Sequence, residues 1–129
     1  MKSTKRFLTS ALLAASVTIV SNTVLASGNP KNGADVFAEE CGDCHSTKEG
    51  KSKKGPPLRG VIGRKAGSFA DFSGYSDSMK QSGIVWNEER IDAYISAPKK
   101  VVPGGKMKYD GLPDATSRAD VIAYVMSLK

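Results

Sequence analysis

The residues with the clearest chemical potential are the pentapeptide Cys41-Gly42-Asp43-Cys44-His45. Two thiols separated by two residues and followed at once by a histidine form C-x-x-C-H, the pattern that attaches a c-type haem. The thiols can add across two vinyl groups on one porphyrin edge, and the adjacent imidazole then faces the iron. The sequence therefore predicts one haem c bound covalently through Cys41 and Cys44, with His45 as an axial iron ligand.

Other uses of a C-x-x-C pair fit this chain less well. A thioredoxin-like dithiol needs a βαβ framework, and the sequence shows no such pattern. A zinc or iron–sulfur site needs more ligands than two Cys and one His can supply. A disulfide between residues so close together closes a very small loop and gains little stability. The whole pentapeptide favours haem attachment.

The first 26 residues have the layout of a secretory signal peptide. Three basic residues lie within 2–6, a mainly apolar stretch covers 7–20, and Val24-Leu25-Ala26 provides the small residues of a cleavage site. An uncleaved membrane anchor is the alternative, but this apolar stretch is short for a hydrocarbon core of ~30 Å. We expect cleavage after Ala26, so that residues 27–129 form one domain in the periplasm.

Removal of the leader changes what the net charge implies. The chain of 129 residues has 19 basic and 13 acidic residues and a formal charge of +6. Three basic residues belong to the leader, so residues 27–129 carry +3. They contain no helix-turn-helix, zinc-finger or aromatic-basic repeat, and we expect no nucleic-acid partner. An oxidising compartment also requires the two thiols to be paired or covalently consumed.

Three helices are predicted to position the pentapeptide. They cover Pro30–Glu40, a segment from the cap Asn87 to about Ala97 that Pro98 ends, and a last segment that starts at Asp114 or Ser117. Each combines a capping residue with apolar residues at helical spacing. Residues 46–86 and 101–113 are predicted as loops, without the alternation typical of strands. So few helices around such long loops predict an all-α domain whose interior is completed by a large apolar cofactor.

The sixth coordination position of the iron needs a second ligand. With one His and no spare Cys, a methionine thioether is the remaining soft donor. Met126 lies in the predicted last helix and is expected in the core. Met79 lies in a polar stretch, whereas Met107 follows a Pro-Gly-Gly-Lys turn at 103–106. The residues alone favour Met107 without excluding Met79.

Several short segments between Gly33 and Leu128 form one ordered pattern. They are Cys41–His45, Gly55–Leu58, Gly63–Lys65, Gly83–Trp86, Pro98–Lys100, Pro103–Met107 and Ile122–Tyr124. In this order they resemble class I cytochrome c, the type shared by mitochondrial cytochrome c and bacterial cytochrome c2. The resemblance implies the cytochrome c fold, with three main helices plus short helices and long loops around one covalent haem. It also implies a crossing of the first and last helices near Gly33, Phe37 and Tyr124, and Met107 as the distal ligand.

The resemblance further implies residues that support the haem and its ligands. Pro56 matches a position whose own or preceding carbonyl accepts a hydrogen bond from the His45 ring. Tyr94 matches a tyrosine that bonds the methionine sulfur. Other positions match residues that bind the inner haem propionate, namely Arg64, Tyr75 and Trp86.

Three positions depart from the family pattern. Gly105 stands where mitochondrial proteins have Thr, Met79 stands where they have Asn, and Tyr109 replaces a frequent Phe. These changes affect the expected reduction potential and leave the expected function unchanged.

An iron with both axial positions filled does not readily bind a substrate, so His/Met ligation indicates electron transfer rather than enzymatic turnover. The resemblance implies a soluble exported one-electron carrier that is not an enzyme. It would work as a monomer, in peripheral contact with membrane complexes of a respiratory or photosynthetic chain. A small haem peroxidase and a redox-sensing module are the alternatives. Neither is supported by a second C-x-x-C-H motif or an extra catalytic domain.

Charged residues around the exposed haem edge are expected to guide docking. In the family, lysines at this edge meet acidic patches on redox partner complexes. The corresponding residues here are Lys53, Lys54, Lys99, Lys100, Lys106 and Lys108. On the first helix, acids occupy positions where mitochondrial proteins carry lysines near the edge, namely Asp35, Glu39 and Glu40, and Asp114 adds another acid. We therefore expect a docking face whose positive charge is concentrated on one side.

Overall fold

The computed structural model describes residues 27–129, which form five helices joined by long loops. The helices are α1 (Pro30–Glu40), α2 (Asp77–Gln81), α3 (Glu88–Ser96), α4 (Pro98–Val101) and α5 (Ala115–Ser127). Residues 27–129 contain no β-strand, and their one isolated antiparallel bridge joins Lys65 to Val85. The predicted all-α class is confirmed. The predicted leader, residues 1–26, lies outside the described residues.

Side-chain caps determine where the three longer helices begin. Asn29, Asn87 and Asp114 each accept a hydrogen bond from a backbone N–H of the following turn, at 2.9, 2.8 and 2.7 Å respectively. A cap of this kind satisfies an N–H group that has no partner within the helix. The last helix thus starts after Asp114, and Ser117 lies inside its first turn.

Helices α1 and α5 cross at close range, and this crossing is the centre of the fold. Gly33 is buried there, and a Cβ at this position would overlap the carbonyl group of Asp120. One turn along α1, the rings of Phe37 and Tyr124 pack with centroids 5.5 Å apart. The buried Asp120 carboxylate accepts a hydrogen bond of 2.6 Å from the Asn29 N–H. The predicted crossing is confirmed.

The apolar core extends from this crossing towards α3. Its fully buried members are Phe37, Val61, Val121 and Val125. Half-buried side chains pack against them, including Leu58, Trp86, Ile91, Ile95 and Cys41. Arg118 ties α5 to α3, because its Nε lies 2.7 Å from a carboxylate oxygen of Asp92. The end of α1 that bears the first cysteine therefore belongs to the packed core.

Three features of the described chain differ from the sequence-based expectation. Helix α2 lies inside the predicted loop 46–86, where Ser76 caps it by accepting from the Met79 N–H. Pro98 does end α3, but it also begins α4 at once. The prediction that Met126 lies in the core is wrong: Met126 is 41% exposed, because the buried face of α5 is formed by other residues.

None of the described helices has the length and apolarity that a membrane crossing requires.

Candidate haem site

The pentapeptide continues α1 as a tight turn. Cys41 is the C-cap residue of that helix, and its N–H still donates to the Phe37 carbonyl. Its own carbonyl accepts from the N–H groups of Cys44, at 3.1 Å, and His45, at 2.8 Å. This turn brings both thiols and the imidazole together. Cys41 and Cys44 are free and half-buried, which is the state required for thioether formation.

The electrostatic setting of Cys41 keeps its free thiol protonated. Burial, followed by the charges of Glu40 and Cys44, raises the pKa of the Cys41 thiol to about 11. A thiol of this kind is a weak nucleophile and a weak metal ligand at neutral pH, since the thiolate is the reactive form. At neutral pH the Cys41 side chain is therefore a thiol and not a thiolate.

His45 is held by the loop that follows the pentapeptide. Its Nδ1 lies 2.8 Å from the Pro56 carbonyl oxygen, and the Gly55 N–H donates to the Cys44 carbonyl at 2.8 Å. Gly55 is required here, because a Cβ at this position would overlap the His45 ring. The hydrogen bond that the resemblance implied is present, and the acceptor is the carbonyl of Pro56 itself.

This arrangement assigns different roles to the two ring nitrogens of His45. With Nδ1–H donating to Pro56, the neutral tautomer leaves the lone pair of Nε2 free for a metal. Burial lowers the pKa of His45, the Pro56 carbonyl opposes that shift, and the charge of Lys53 adds to the lowering. The His45 ring is therefore uncharged at neutral pH, and its Nε2 can donate an electron pair to a metal, as a metal ligand must.

Met107 lies in the loop between α4 and α5. Gly104 turns the chain with a φ of +81°, and the Gly105 N–H donates to the Val102 carbonyl at 3.0 Å. Beyond this turn Met107 is half-buried and borders an open cavity of about 510 Å³. The alternative Met79 lies within α2 and is also half-buried. Burial alone does not separate the two candidates, which differ in their backbone: Met107 follows a hydrogen-bonded glycine turn, whereas Met79 lies in a helix.

The residues expected at the inner propionate occupy two neighbouring clusters. The Arg64 guanidinium donates to the Pro57 carbonyl at 2.9 Å and lies 5.0 Å from the centre of the Phe69 ring. Trp86 packs on Tyr94 with ring centroids 5.1 Å apart. The backbone joins the two clusters, since the Trp86 N–H donates to the Arg64 carbonyl at 3.0 Å. The structure thus places Arg64 next to Trp86 along this bond, with Tyr94 packed on Trp86.

Tyr75 and Tyr94 differ in burial and in surroundings. Tyr75 is half-buried, and its ring meets the edge of Phe72 at 4.9 Å between centroids. Tyr94 is only 8% exposed. Burial raises the pKa of both hydroxyl groups, and at Tyr75 a hydrogen bond with the Phe69 backbone and then the Arg64 charge oppose the rise. Both hydroxyl groups are therefore uncharged at neutral pH.

The six predicted docking lysines do not all have free ammonium groups. Lys99 Nζ lies 2.7 Å from an Asp110 carboxylate oxygen, with the two side chains 71% and 94% exposed. Lys53 donates to the Gly42 carbonyl, inside the pentapeptide. The remaining ones, Lys54, Lys100, Lys106 and Lys108, are exposed. Lys99, Lys106 and Lys108 border the same cavity as Met107, together with Asp110, so the charged groups on this side of the site are mostly basic.

Sequence reasoning missed one contact of the site. The Tyr109 hydroxyl donates to the Glu40 carboxylate at 2.7 Å, although 69 positions separate the two residues. Tyr109 was noted only as a replacement for Phe, and Glu40 only as a surface acid. No signal in a single sequence links residues so far apart.

The donor set as a whole fits a c-type haem. Two free thiols share one turn, and the imidazole beside them is neutral with Nε2 unengaged. Comparison with known proteins gives the same result. The family model for cytochrome c matches residues 30–129.

The chain belongs to the cytochrome c family. A cytochrome c from Gibberella zeae is 45% identical over 102 residues, covering 78% of this chain and 95% of the relative. A cytochrome c2 from Rhodopila globiformis is 44% identical over 102 residues, covering 79% of this chain and 95% of the relative. A cytochrome c from Tetrahymena pyriformis is 46% identical over 101 residues, covering 78% and 90%. The predicted family and its fold are confirmed, and the cofactor of cytochrome c proteins is haem c, bound at the motif that Cys41–His45 supplies.

Proposed function

We propose that this cytochrome c is an exported one-electron carrier with a haem bound through Cys41 and Cys44 and ligated by His45 and Met107. The observation that supports this most is the turn Cys41–His45, in which His45 Nδ1 is bound to the Pro56 carbonyl at 2.8 Å. A c-type haem, when bound, supplies one-electron exchange between ferrous and ferric iron. The chain attaches the haem, provides its two axial ligands and leaves no free position on the iron for a substrate.

His45 and Met107 have complementary roles in this proposal. The hydrogen bond to Pro56 fixes the tautomer of His45 and increases its basicity as a ligand. The Met107 thioether is a soft donor that favours the reduced metal and raises the potential. With both positions occupied, the site has no place for a substrate molecule. Electron transfer without bond making is the reaction that such a site supports.

A small peroxidase is the alternative from a different functional class. Peroxide would need a free distal position, which in this chain requires Met107 to be displaced. The turn at Gly104 and Gly105 constrains the segment before Met107, and this favours a retained ligand. Measured peroxidase turnover separates the two functions, because a carrier with intact ligation shows almost none while the Met107→Ala variant gains it.

The proposed site of action is the periplasm. The basic start, apolar stretch and small residues within 1–26 support export and cleavage after Ala26. The relatives include a bacterial cytochrome c2 and several eukaryotic cytochromes c. Mass spectrometry of the protein recovered from the periplasm tests this proposal: a chain beginning at Ser27 with one haem added is expected, and an intact residue 1 would contradict it.

The proposed partners are redox protein complexes that present acidic patches. The observation in favour is the basic cavity rim beside Met107, formed by Lys99, Lys106 and Lys108. Charges at a rim guide encounter more than they add affinity. Contact with membrane complexes would thus be peripheral and short-lived, with the carrier acting as a monomer.

The experiment that tests the function combines attachment and redox behaviour. The full chain, produced in a host able to attach haem c, should keep its haem after denaturation in acidified organic solvent. Its redox titration should follow a one-electron curve, about 59 mV for each tenfold change in the ratio of oxidised to reduced protein. The Cys41→Ala/Cys44→Ala variant should contain no covalent haem and should not fold, since the cofactor completes a small core. Extractable haem in the unmodified chain would contradict the proposal.

A further inference from the structure

The bond between Tyr109 and Glu40 joins two parts of the site that are far apart in sequence. Glu40 is the last residue of α1 and directly precedes Cys41, the proposed first point of haem attachment. Tyr109 follows the proposed ligand Met107 by two residues and is half-buried. Its hydroxyl donates to a Glu40 carboxylate oxygen at 2.7 Å. A hydrogen bond to an ionised acceptor is among the stronger ones in proteins.

The other contacts of the Met107 segment lead elsewhere in the molecule. At its start, Gly105 bonds back to Val102, next to α4. At its end, the Leu112 N–H donates to the Ile95 carbonyl in α3 at 2.8 Å. Asp110 pairs with Lys99 of α4 on the exposed surface. The Tyr109–Glu40 bond differs from these contacts because it leads to α1, the helix that continues into the pentapeptide.

We propose that the Tyr109–Glu40 hydrogen bond is a strap that holds the Met107 segment against the end of α1 and slows the departure of Met107 from the iron. This inference rests on the proposed function, since it takes Met107 as the ligand. For Met107 to leave, its segment must move away from the attachment turn, and that movement breaks the strap. Tyr109 and Glu40 are thus positioning residues that act through Met107, without contacting the metal.

The test measures how fast imidazole binds to the ferric holoprotein, because imidazole enters only when Met107 has left. Tyr109→Phe keeps the ring and removes the donor, and Glu40→Ala removes the acceptor. Each should raise the binding rate about three- to tenfold, the effect of losing one hydrogen bond. The double variant should be no faster than either single one, because both remove the same interaction. Glu40→Gln keeps an acceptor oxygen but loses the charge, so it should raise the binding rate less than Glu40→Ala does.

Two controls separate the strap from general effects. Glu39→Ala removes a neighbouring exposed carboxylate of the same helix and should leave the rate unchanged. Tyr109→Phe should lose no more unfolding free energy, measured with urea, than the amount equivalent to its faster binding, because local opening and global unfolding break the same bond. A clearly larger loss of stability would overturn the strap and indicate general destabilisation.

The outcomes for the strap and for the ligand are distinguishable. If Met107→Ala binds imidazole rapidly while Tyr109→Phe binds it at the unmodified rate, the strap is wrong and the ligand assignment stands. If the effects of Tyr109→Phe and Glu40→Ala multiply in the double variant, the two residues act independently and the strap is again wrong. If Met107→Ala binds imidazole no faster than the unmodified protein, Met107 is not the ligand and both proposals fail.

Discussion

At the scale of single residues, the site depends on which atoms remain unengaged. His45 has one nitrogen bound to Pro56 and therefore one left for a metal. Cys41 and Cys44 remain thiols in the same turn. Tyr94 lies in the core beside Trp86, where a polar group is stable only if it is uncharged or hydrogen-bonded. Protonation of these groups therefore links the site to the stability of the fold.

Tyr94 gives the residue-scale prediction, a pH dependence of stability. Burial raises its pKa above the ordinary value of 10.0, so the folded chain holds the phenolic proton more tightly than the unfolded chain does. The stabilising contribution is complete below pH 10 and is lost as the pH rises through the folded pKa. Urea midpoints of Tyr94→Phe should therefore fall less steeply above about pH 10 than those of the unmodified protein. Parallel curves for the two proteins would show that Tyr94 does not carry this dependence.

At the scale of elements, the crossing of α1 and α5 determines where the pentapeptide begins. Gly33→Ala would place a Cβ on the Asp120 carbonyl, so the helices must separate. Overpacking of this kind costs about 1–3 kcal/mol, more than the ~0.5–1 kcal/mol gained from helix propensity. We expect Gly33→Ala to have a lower urea midpoint than the unmodified protein, and its folded fraction to contain the normal amount of haem. Asp35→Ala, an exposed change in the same helix, serves as the control, and equal midpoints for both variants would contradict the close crossing.

Elements with a cap and an apolar stripe could be predicted from the sequence, and the others could not. The three longer helices were predicted because Asn29, Asn87 and Asp114 precede residues at helical spacing. Helices α2 and α4 span five and four residues, too few for periodicity to show. Met126 was wrongly predicted in the core because its neighbours in α5 are also apolar, so the sequence pattern does not show which side of the helix is buried. Near the site, the pentapeptide is a local pattern, whereas the Tyr109–Glu40 contact exists only through the fold.

At the scale of the whole molecule, the arrangement of charge matters more than its sum. Lysines border Met107, while Glu39 and Glu40 end α1 and Asp110 partly offsets Lys99. The net charge of residues 27–129 is small, but encounter is guided by the local field. A partner with an acidic patch should therefore recognise one side of the molecule.

Association with an acidic redox partner should show this asymmetry in stopped-flow electron transfer. Its rate should fall steeply with salt, because the Debye length shrinks from about 30 Å at 0.01 M to 10 Å at 0.1 M. At low salt, charge reversal at Lys100 or Lys106 should slow association about threefold or more, while Asp110→Asn should accelerate it by releasing Lys99. Glu39→Lys should leave the rate unchanged or raise it. The same rate for all variants would show that this surface does not guide docking.

The central claim is that His45 and Met107 complete the coordination of a covalently attached haem, and the optical spectrum of oxidised Met107→Ala tests it most directly. The unmodified protein should show the weak long-wavelength band of a methionine–iron bond and should resist cyanide. Met107→Ala should keep its haem, since attachment depends on Cys41 and Cys44, but it should lose the band, bind cyanide rapidly and have a lower reduction potential. A retained band together with an unchanged potential in Met107→Ala would contradict Met107 as the ligand and would favour Met79 instead.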